Sequence, residues 1–473
     1  MDSQLISRVV TEVLTRLQQQ AAPVLSGKTG FGVYDKMDEA VDAAHAAFEK
    51  LQAAGVAARK KAIACIRKLS AENAAAWGKI EFEETRIGRL DHKIEKLAIC
   101  AELVPGVEFL DRQAFSGDFG LTIIDFAPWG VIGAVTPSTH SVPTLTGNAI
   151  NMIAAGNAVV FNTHPSACHC AAVAIRSYNE AIYAETGITD LLCTVVAPTL
   201  ESFDVMCKHP KVRLLCVTGG PGVVKAAMQA GKRAICAGPG NPPVVVDETA
   251  DLNRAARSII QGAAYDNNLL CIGEKEIFAV ESIADALVAA LKSAGAVLLD
   301  ARQIEALAAA AFSFPPGQGA GCPHPVLNKK LVGQDAAFLA RQIGLDVPSG
   351  TQLLFGETTE DHLFVQEEQM MPFIPLVRVR DVDAAIEASI RVEHGYKHTA
   401  IMHSRNIEAL TAMAQRCDTT LFIKNGPSMT GLGLGGEGFL SFSVATPTGE
   451  GVTTPMTFTR SRRCVMVGNL NLY

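Results

Sequence analysis

One cysteine, set where two periodicities meet, is the residue in this chain best placed for covalent chemistry. Cys271 lies in the stretch AAYDNNLLCIGEKEIF. A run with helical apolar spacing, DLNRAARSIIQGAA, leads in; the turn formers Asp266, Asn267 and Asn268 stop it; and EKEIFAV, rich in strand formers, leads away. A side chain at such a helix-to-strand junction can face a cleft. A thiol becomes a nucleophile where nearby donors or a helix dipole favour the thiolate and the sulfur stays reachable. Local context leaves the alternative of a buried, inert thiol open. Asn267 and Asn268 read as turn formers rather than catalysts.

A second stretch could hold a phosphate. After VRLLCVT come Gly219, Gly220, Pro221 and Gly222, then the helical run VVKAAMQAG. Glycines let backbone approach an anion, and a helix N-terminus offers free N–H donors with a partial positive charge. The pattern departs from G-x-G-x-x-G, because Val223, Val224 and Lys225 follow Gly222. An ordinary tight strand-to-helix turn is the competing reading. Cys168, His169 and Cys170 lie too close together for a tetrahedral shell, and no second ligand pair follows at finger spacing, so no metal is expected.

The elements that must carry these residues alternate. GVIGAVTP is a strand, STHSVPTLTGNAINMIAAG runs through a loop into a helix, and NAVVFNTHP is the next strand. A helix over roughly 167–186, LLCTVVAPT, a short helix near SFDVMCKHP and VRLLCVTGG continue the series. Strands alternating with helices imply βαβ units and a doubly wound parallel sheet, so the fold class is α/β with a Rossmann-like first domain. The Gly/Pro-rich bend at 237–243 opens a second α/β domain that carries Cys271. Before the sheet lies a helical layer from Met37 to about Gly106, then a hairpin, QAFSGDFGLTIIDFAPWG, turning at Gly117 and Asp118. The glycine-dense tail ends in a strand-like run that could pair with this hairpin or with a neighbour's. Residues 3–19 place Leu5, Ile6, Val9, Val10, Val13, Leu14 and Leu17 on one stripe ahead of a Pro/Gly linker, which reads as a docking tail or a helix packed on its own domain.

Composition narrows the class. The chain has 473 residues, more than one core supports, with 48% hydrophobic, 6% aromatic and 19% charged residues. A net charge of -7 without a basic run of five argues against a nucleic-acid surface. Twelve cysteines without framework spacing imply a reducing compartment, and neither a membrane span nor a secretory leader is expected.

Taken together, APWGVIGAVTPSTHSVPT, INMIAAGNAVVF, VTGGPGVVKAAM, AGPGNPPVVVDETADL, YDNNLLCIGEKEIF, EEQMMPFIPLVRV and EHGYKHTAIMHS occur in the order found in the aldehyde dehydrogenase superfamily. Over nearly its whole length the chain resembles the CoA-acylating branch of bacterial microcompartments, the propanal and acetaldehyde dehydrogenases. The resemblance implies that the Cys271 thiolate adds to an aldehyde, that hydride leaves to a nicotinamide ring, and that CoA takes the acyl group from the resulting thioester, with ping-pong kinetics. The tetrahedral oxyanion needs donors. The Cys271 N–H is one; the family's second is usually an Asn, and here His140 stands at that position, followed by Ser141 rather than Pro. Hydrolytic members carry a glutamate base just after the cofactor domain, where this chain has Ala237-Gly238-Pro239-Gly240-Asn241. Without a base to activate water, the thioester should wait for a thiol.

The resemblance further assigns cofactor contacts to Thr218, Gly219 and Gly220 near the pyrophosphate, to His164 and Pro165 at a strand exit near the adenine ribose, to Thr136 and Pro137, and to Glu368 on the nicotinamide ribose. No Arg at the strand exit awaits a 2'-phosphate, so NAD is favoured with NADP open. The implied organisation is an encapsulation-type helix at 1–20, a linker at 21–36, an NAD-binding domain at 37–110 and 128–240, a catalytic domain at 241–430, and an oligomerisation arm at 111–127 and 445–473. The implied partners are a short-chain aldehyde, coenzyme A, a shell protein docked through residues 1–20, and further copies of the chain as a homodimer or homotetramer, in the bacterial cytoplasm within a microcompartment. The rivals are a hydrolytic dehydrogenase giving free acid and a non-catalytic adaptor; the missing glutamate opposes the first, and Cys271, Gly219, Gly220 and Glu368 oppose the second.

Overall fold

The computed structural model describes residues 30–314 and 325–470. The amphipathic segment 1–20, most of the linker and the loop at 315–324 lie outside the described residues. The chain divides into two compact units: the first takes the described residues through Thr85, then Lys93–Gly238 and everything from Phe439 on; the second takes Arg86–His92 and Pro239–Gly438.

The first unit is built on a six-stranded, wholly parallel sheet in the order Val33–Tyr34, Leu192–Val195, Ala158–Thr163, Val131–Thr136, Val212–Thr218, Arg233–Ala237. Strands Val131–Thr136 and Ala158–Thr163 are buried at every position, which is why they read as continuous apolar runs and not as alternating ones. The helical layer is one long stretch, Met37–Thr85, interrupted at Gly55, whose φ of 71° breaks the helix where AAG stands in the sequence. It packs on helices Ser141–Ala154 and Cys168–Thr186. At that seam the Trp77 ring meets Tyr178 edge-on at 5.2 Å, and the Tyr178 hydroxyl bonds Thr146 Oγ1 at 2.8 Å. The hairpin Gln113–Gly117 and Gly120–Pro128 takes a third strand from its own chain: Thr459–Val467 pairs antiparallel with Gly120–Pro128, Thr459 opposite Pro128 and Val467 opposite Gly120. Residues 445–458, read as part of this arm, instead form a short antiparallel pair and a 3-10 turn ending on the buried Phe458.

The second unit is a seven-stranded parallel sheet in the order Val297–Leu298, Leu354–Glu357, Phe373–Val379, Glu276–Val280, Pro243–Val246, Thr399–His403, Leu421–Lys424. One face packs Val245, Phe278, Val377 and Met402 against Ile386 and Met413; another cluster gathers Phe312, Leu339, Phe364 and Phe373, with the rings of Phe364 and Phe373 4.6 Å apart. Burying each such side chain contributes roughly 1.5–3 kcal/mol. Helices begin where Asp251, Asp300, Asp381 and Asn406 accept N–H bonds from their first turns, each cap worth about 1 kcal/mol. Because strands Glu276–Val280, Pro243–Val246 and Thr399–His403 are parallel neighbours, the segments that precede them collect at one edge of the sheet. Those segments are the loop of Cys271, the bend at Gly240 and the turn ending in His398.

Candidate active site

Cys271 sits at the head of a loop whose backbone is unusual. After helix Leu252–Ala263, Asp266, Asn267 and Asn268 all take left-handed conformations, with φ of 49°, 54° and 64°. Asp and Asn tolerate this region better than other side-chain-bearing residues, yet three in succession persist only where the surroundings hold them. Here they do. Asp266 Oδ1 accepts the Arg89 N–H at 2.8 Å, and the Asp266 N–H donates to His92 Nδ1 at 2.8 Å. Gly88 leaves room for that carboxylate, since a Cβ there would fall 2.3 Å from Asp266 Oδ1. Asn267 Nδ2 donates to Gly333 O and Asp335 Oδ1, both at 2.9 Å, and Asn268 Nδ2 to Ala263 O and Glu274 O, also at 2.9 Å. Both amides are therefore used in holding the turn.

The thiol is half-buried. Burial first, then the Glu368 carboxylate, push its pKa up to about 12, against the pull of Lys275. Glu368 is itself raised by burial, opposed by Lys275 and by the Gly240 amide. Gly240 fits because it has no side chain: a Cβ would lie 2.5 Å from the Cys271 carbonyl oxygen and 3.0 Å from His398 Cγ. The next residue, Asn241, donates its amide to Val365 O at 2.9 Å and Val392 O at 3.0 Å, so it ties segments together.

His398 was missed in the sequence, where it is one of three histidines in EHGYKHTAIMH. It is fully buried, with Nδ1 2.9 Å from Thr399 Oγ1 and no partner for Nε2. Burial and then Lys275 push its pKa down to about 4, so the ring is neutral at pH 7 and one nitrogen remains available as an acceptor or donor. The signal that could have found it is position: it directly precedes a strand neighbouring the one that follows Gly240.

In the first unit, His140 is the N-cap residue of helix Ser141–Ala154. Its ring is buried, with Nδ1 2.7 Å from Thr139 Oγ1 and the Phe442 ring 5.5 Å away. A buried ion pair brackets it. Glu81 accepts the Ser141 N–H at 3.0 Å and the Val142 N–H at 3.3 Å, while Lys93 Nζ donates to Glu81 Oε1 at 3.3 Å and to Thr139 O at 3.2 Å. The backbone on both sides of His140 is thus fixed by charged side chains from the long helix and the helix Leu90–Leu103.

The residues assigned to the cofactor, other than Glu368, fall at the carboxyl ends of three neighbouring strands, as expected of a doubly wound sheet. Thr136 ends one strand, with its hydroxyl 3.3 Å from Ser141 Oγ, and Pro137 follows. His164, exposed, caps the turn Pro165–Ala167 beside the second and bonds Ser166 Oγ at 2.8 Å. Thr218 ends the third, its hydroxyl 3.0 Å from Ser443 Oγ, which in turn donates to Asn148 Oδ1. Gly219 and Gly220 then open helix Pro221–Met228, and a Cβ on Gly220 would meet nothing within 4 Å. Open backbone at a helix N-terminus fits a pyrophosphate. Asn162 is occupied otherwise, accepting from Ser202 Oγ at 2.6 Å.

A parallel-sheet unit with a glycine-opened helix, and a second unit presenting a cysteine beside a glutamate, are parts that an oxidoreductase working through a thiol would need. The aldehyde dehydrogenase family model matches residues 26–300, and the chain belongs to that family. It is 46% identical over 480 residues to an acetaldehyde dehydrogenase (acetylating) of Bilophila wadsworthia, covering 99% of this chain and 98% of that one. A propionaldehyde dehydrogenase of Rhodopseudomonas palustris, solved with bound CoA and an acylated cysteine, superposes with a TM-score of 0.89 at 44% identity, covering 94% of this chain and 100% of that one. A propionaldehyde dehydrogenase from the fucose utilisation bacterial microcompartment of Clostridium phytofermentans gives 0.90 at 42% identity, with the same coverage.

Proposed function

We propose that this chain oxidises a short aliphatic aldehyde, propanal or acetaldehyde, to acyl-CoA with NAD and CoA, inside a bacterial microcompartment. The observation that carries the reading is Cys271, presented beside Glu368 and His398 while the segment Ala237–Asn241 offers no carboxylate and Asn241 is engaged in holding backbone. Its acylating relatives support the same reading.

The chain's own residues do the following. The Cys271 sulfur adds to the aldehyde carbon, and its proton passes to a base; the neutral His398, which packs with the Cys271 carbonyl against Gly240 and has its Nε2 unpartnered, is the candidate. The Cys271 N–H stabilises the oxyanion, with His140 as the second donor. Thr136, Pro137, His164, Pro165, Thr218, Gly219, Gly220 and Glu368 hold the dinucleotide, which when bound supplies the hydride acceptor; NADP is the alternative. Collapse of the oxyanion leaves a Cys271 thioester, and the CoA thiolate attacks it, expelling the cysteine. No carboxylate stands in the Ala237–Asn241 segment to activate water, so transfer to thiol wins over hydrolysis.

Residues 1–20 dock the enzyme on a shell protein, and the three-stranded arm joins copies into a dimer or tetramer. The test of the covalent step is mass spectrometry of protein incubated with propanal and NAD in the absence of CoA. A propanoyl group on the Cys271 peptide, discharged by CoA, is expected; an acyl group on another residue, or none while NADH forms steadily, would overturn the mechanism.

A further inference from the structure

Lys275 follows Cys271 by one turn of loop and is fully buried, yet the hydrogen bonds of its ammonium among the described residues go to no carboxylate. Nζ donates instead to Asn268 O at 3.1 Å, to Asn268 Oδ1 and to Leu270 O at 3.4 Å. Three acceptors call for three N–H donors, which the ammonium has and the neutral amine lacks. Burial lowers the pKa of Lys275, and Glu368 and then Cys271 favour its charged form against that cost; a buried cation held without an ion pair is expensive, and its retention calls for a reason. All three contacts fall on the strained turn that ends at Cys271, and the charged or titratable groups facing Nζ are Glu368 from the segment before Phe373, Cys271 itself, Glu276 and Glu274 on its own stretch, and His398 from the segment before Thr399. Glu276 holds both carboxylate oxygens buried without a partner, and burial raises its pKa, which weakens it as a counter-charge to the ammonium.

We propose that Lys275 is a positioning residue of the acyl-transfer site, its ammonium tethering the loop that carries Cys271 and serving as the counter-charge to the sulfur once ionised. The proposal rests on the reading of Cys271 as the nucleophile. In the resting enzyme the charged form is favoured first by Glu368, with which it makes no ion pair, and the thiolate that forms during turnover brings a second negative charge to the same ammonium. The same ammonium holds the carbonyls of Asn268 and Leu270, so charge and sulfur move together.

The experiment is the pH dependence of Cys271 alkylation by iodoacetamide in the full-length protein, quantified on the Cys271 peptide so that the other thiols do not contribute. Lys275→Gln keeps two N–H donors for the loop and removes the charge; Lys275→Met removes both. The expected result is an alkylation profile displaced to higher pH in both variants, with labelling at pH 8 slowed about tenfold or more, one pKa unit being a factor of ten in thiolate. Thermal melting of Lys275→Gln should change far less than its alkylation rate. A Lys275→Gln profile that superimposes on that of the unmodified protein would overturn the proposal. Failure of the underlying reading is seen separately: Cys271→Ala that still converts aldehyde removes the nucleophile, whatever the Lys275 variants do.

Discussion

Burial at the edge of the second sheet sets protonation states residue by residue. Glu276, with both oxygens unpartnered, has its pKa raised well above 4.5 by burial first, while Lys275 pulls the other way and Glu393 adds to the rise. A carboxyl whose folded-state pKa is raised binds its proton more tightly in the native protein. Its contribution is therefore fully present below about 4.5 and declines as pH rises toward the folded value. Glu276→Gln, an uncharged near-isostere, escapes this penalty. The difference in unfolding free energy between Glu276→Gln and the parent should grow in favour of Gln by up to about 1.4 kcal/mol per pH unit from pH 5 upward, measured by urea unfolding at a series of pH values. A difference independent of pH would mean that Glu276 is ionised in the fold. His398 works in the opposite sense: depressed to about 4, it withholds a proton that the unfolded chain takes up below about 6.5, so its share of stability falls on acidification.

Among the elements, the clamp around His140 is the one whose energetics are most exposed to test. Glu81 and Lys93 are both fully buried, and the carboxylate is the cap of a helix whose N-cap side chain makes no capping bond. Removing one member of a buried pair leaves the other charge uncompensated, a loss of about 3–5 kcal/mol. Glu81→Ala is expected to lose stability on that scale by chemical unfolding, and Glu81→Ala with Lys93→Met to recover a good part of it; equal stabilities in the parent and Glu81→Ala would contradict the pairing. Nothing in the sequence marks this pair. Glu81 and Lys93 sit in amphipathic runs rich in charge, and only the tertiary packing of two helices on a third buries them. The same holds for His398, whose place comes from parallel strand order, whereas Lys275 reaches only the loop just before it, through Asn268 and Leu270, in a contact that the run EKEIF does not announce. What was legible lay in local chemistry: the alternating strands and helices, the Asp and Asn caps, the turn at Asp266–Asn268 and the glycines before Pro221 are each written in a few adjacent residues. The long helix reads as separate helices because Gly55 breaks the period, and the 445–458 segment reads as arm because its β-branched residues give no sign of the short pair they form.

At the scale of the whole molecule, the three-stranded arm exposes Phe115, Phe119, Val465 and Val467, with Phe119 at 88% and Val467 at 76% exposure. Exposed apolar side chains on an antiparallel sheet with open edges are what the proposed association of copies would cover. Phe119→Glu combined with Val467→Glu is expected to shift the sedimentation of the protein from an oligomer to a monomer while leaving the far-ultraviolet circular dichroism unchanged. A parent protein that sediments as a monomer at micromolar concentration would contradict the proposed association through this arm. Among the described residues no helix is long and apolar enough to cross a membrane.

The most direct measurement is NADH formation from propanal and NAD by the purified protein, with and without CoA, and with the acyl product identified. Sustained turnover that requires CoA and yields propanoyl-CoA, with at most one NADH per active site when CoA is withheld, is expected from a thioester that water does not reach. Sustained turnover to propanoate without CoA would contradict it, and would place a general base for water within reach of Cys271 despite the bare Ala237–Asn241 segment.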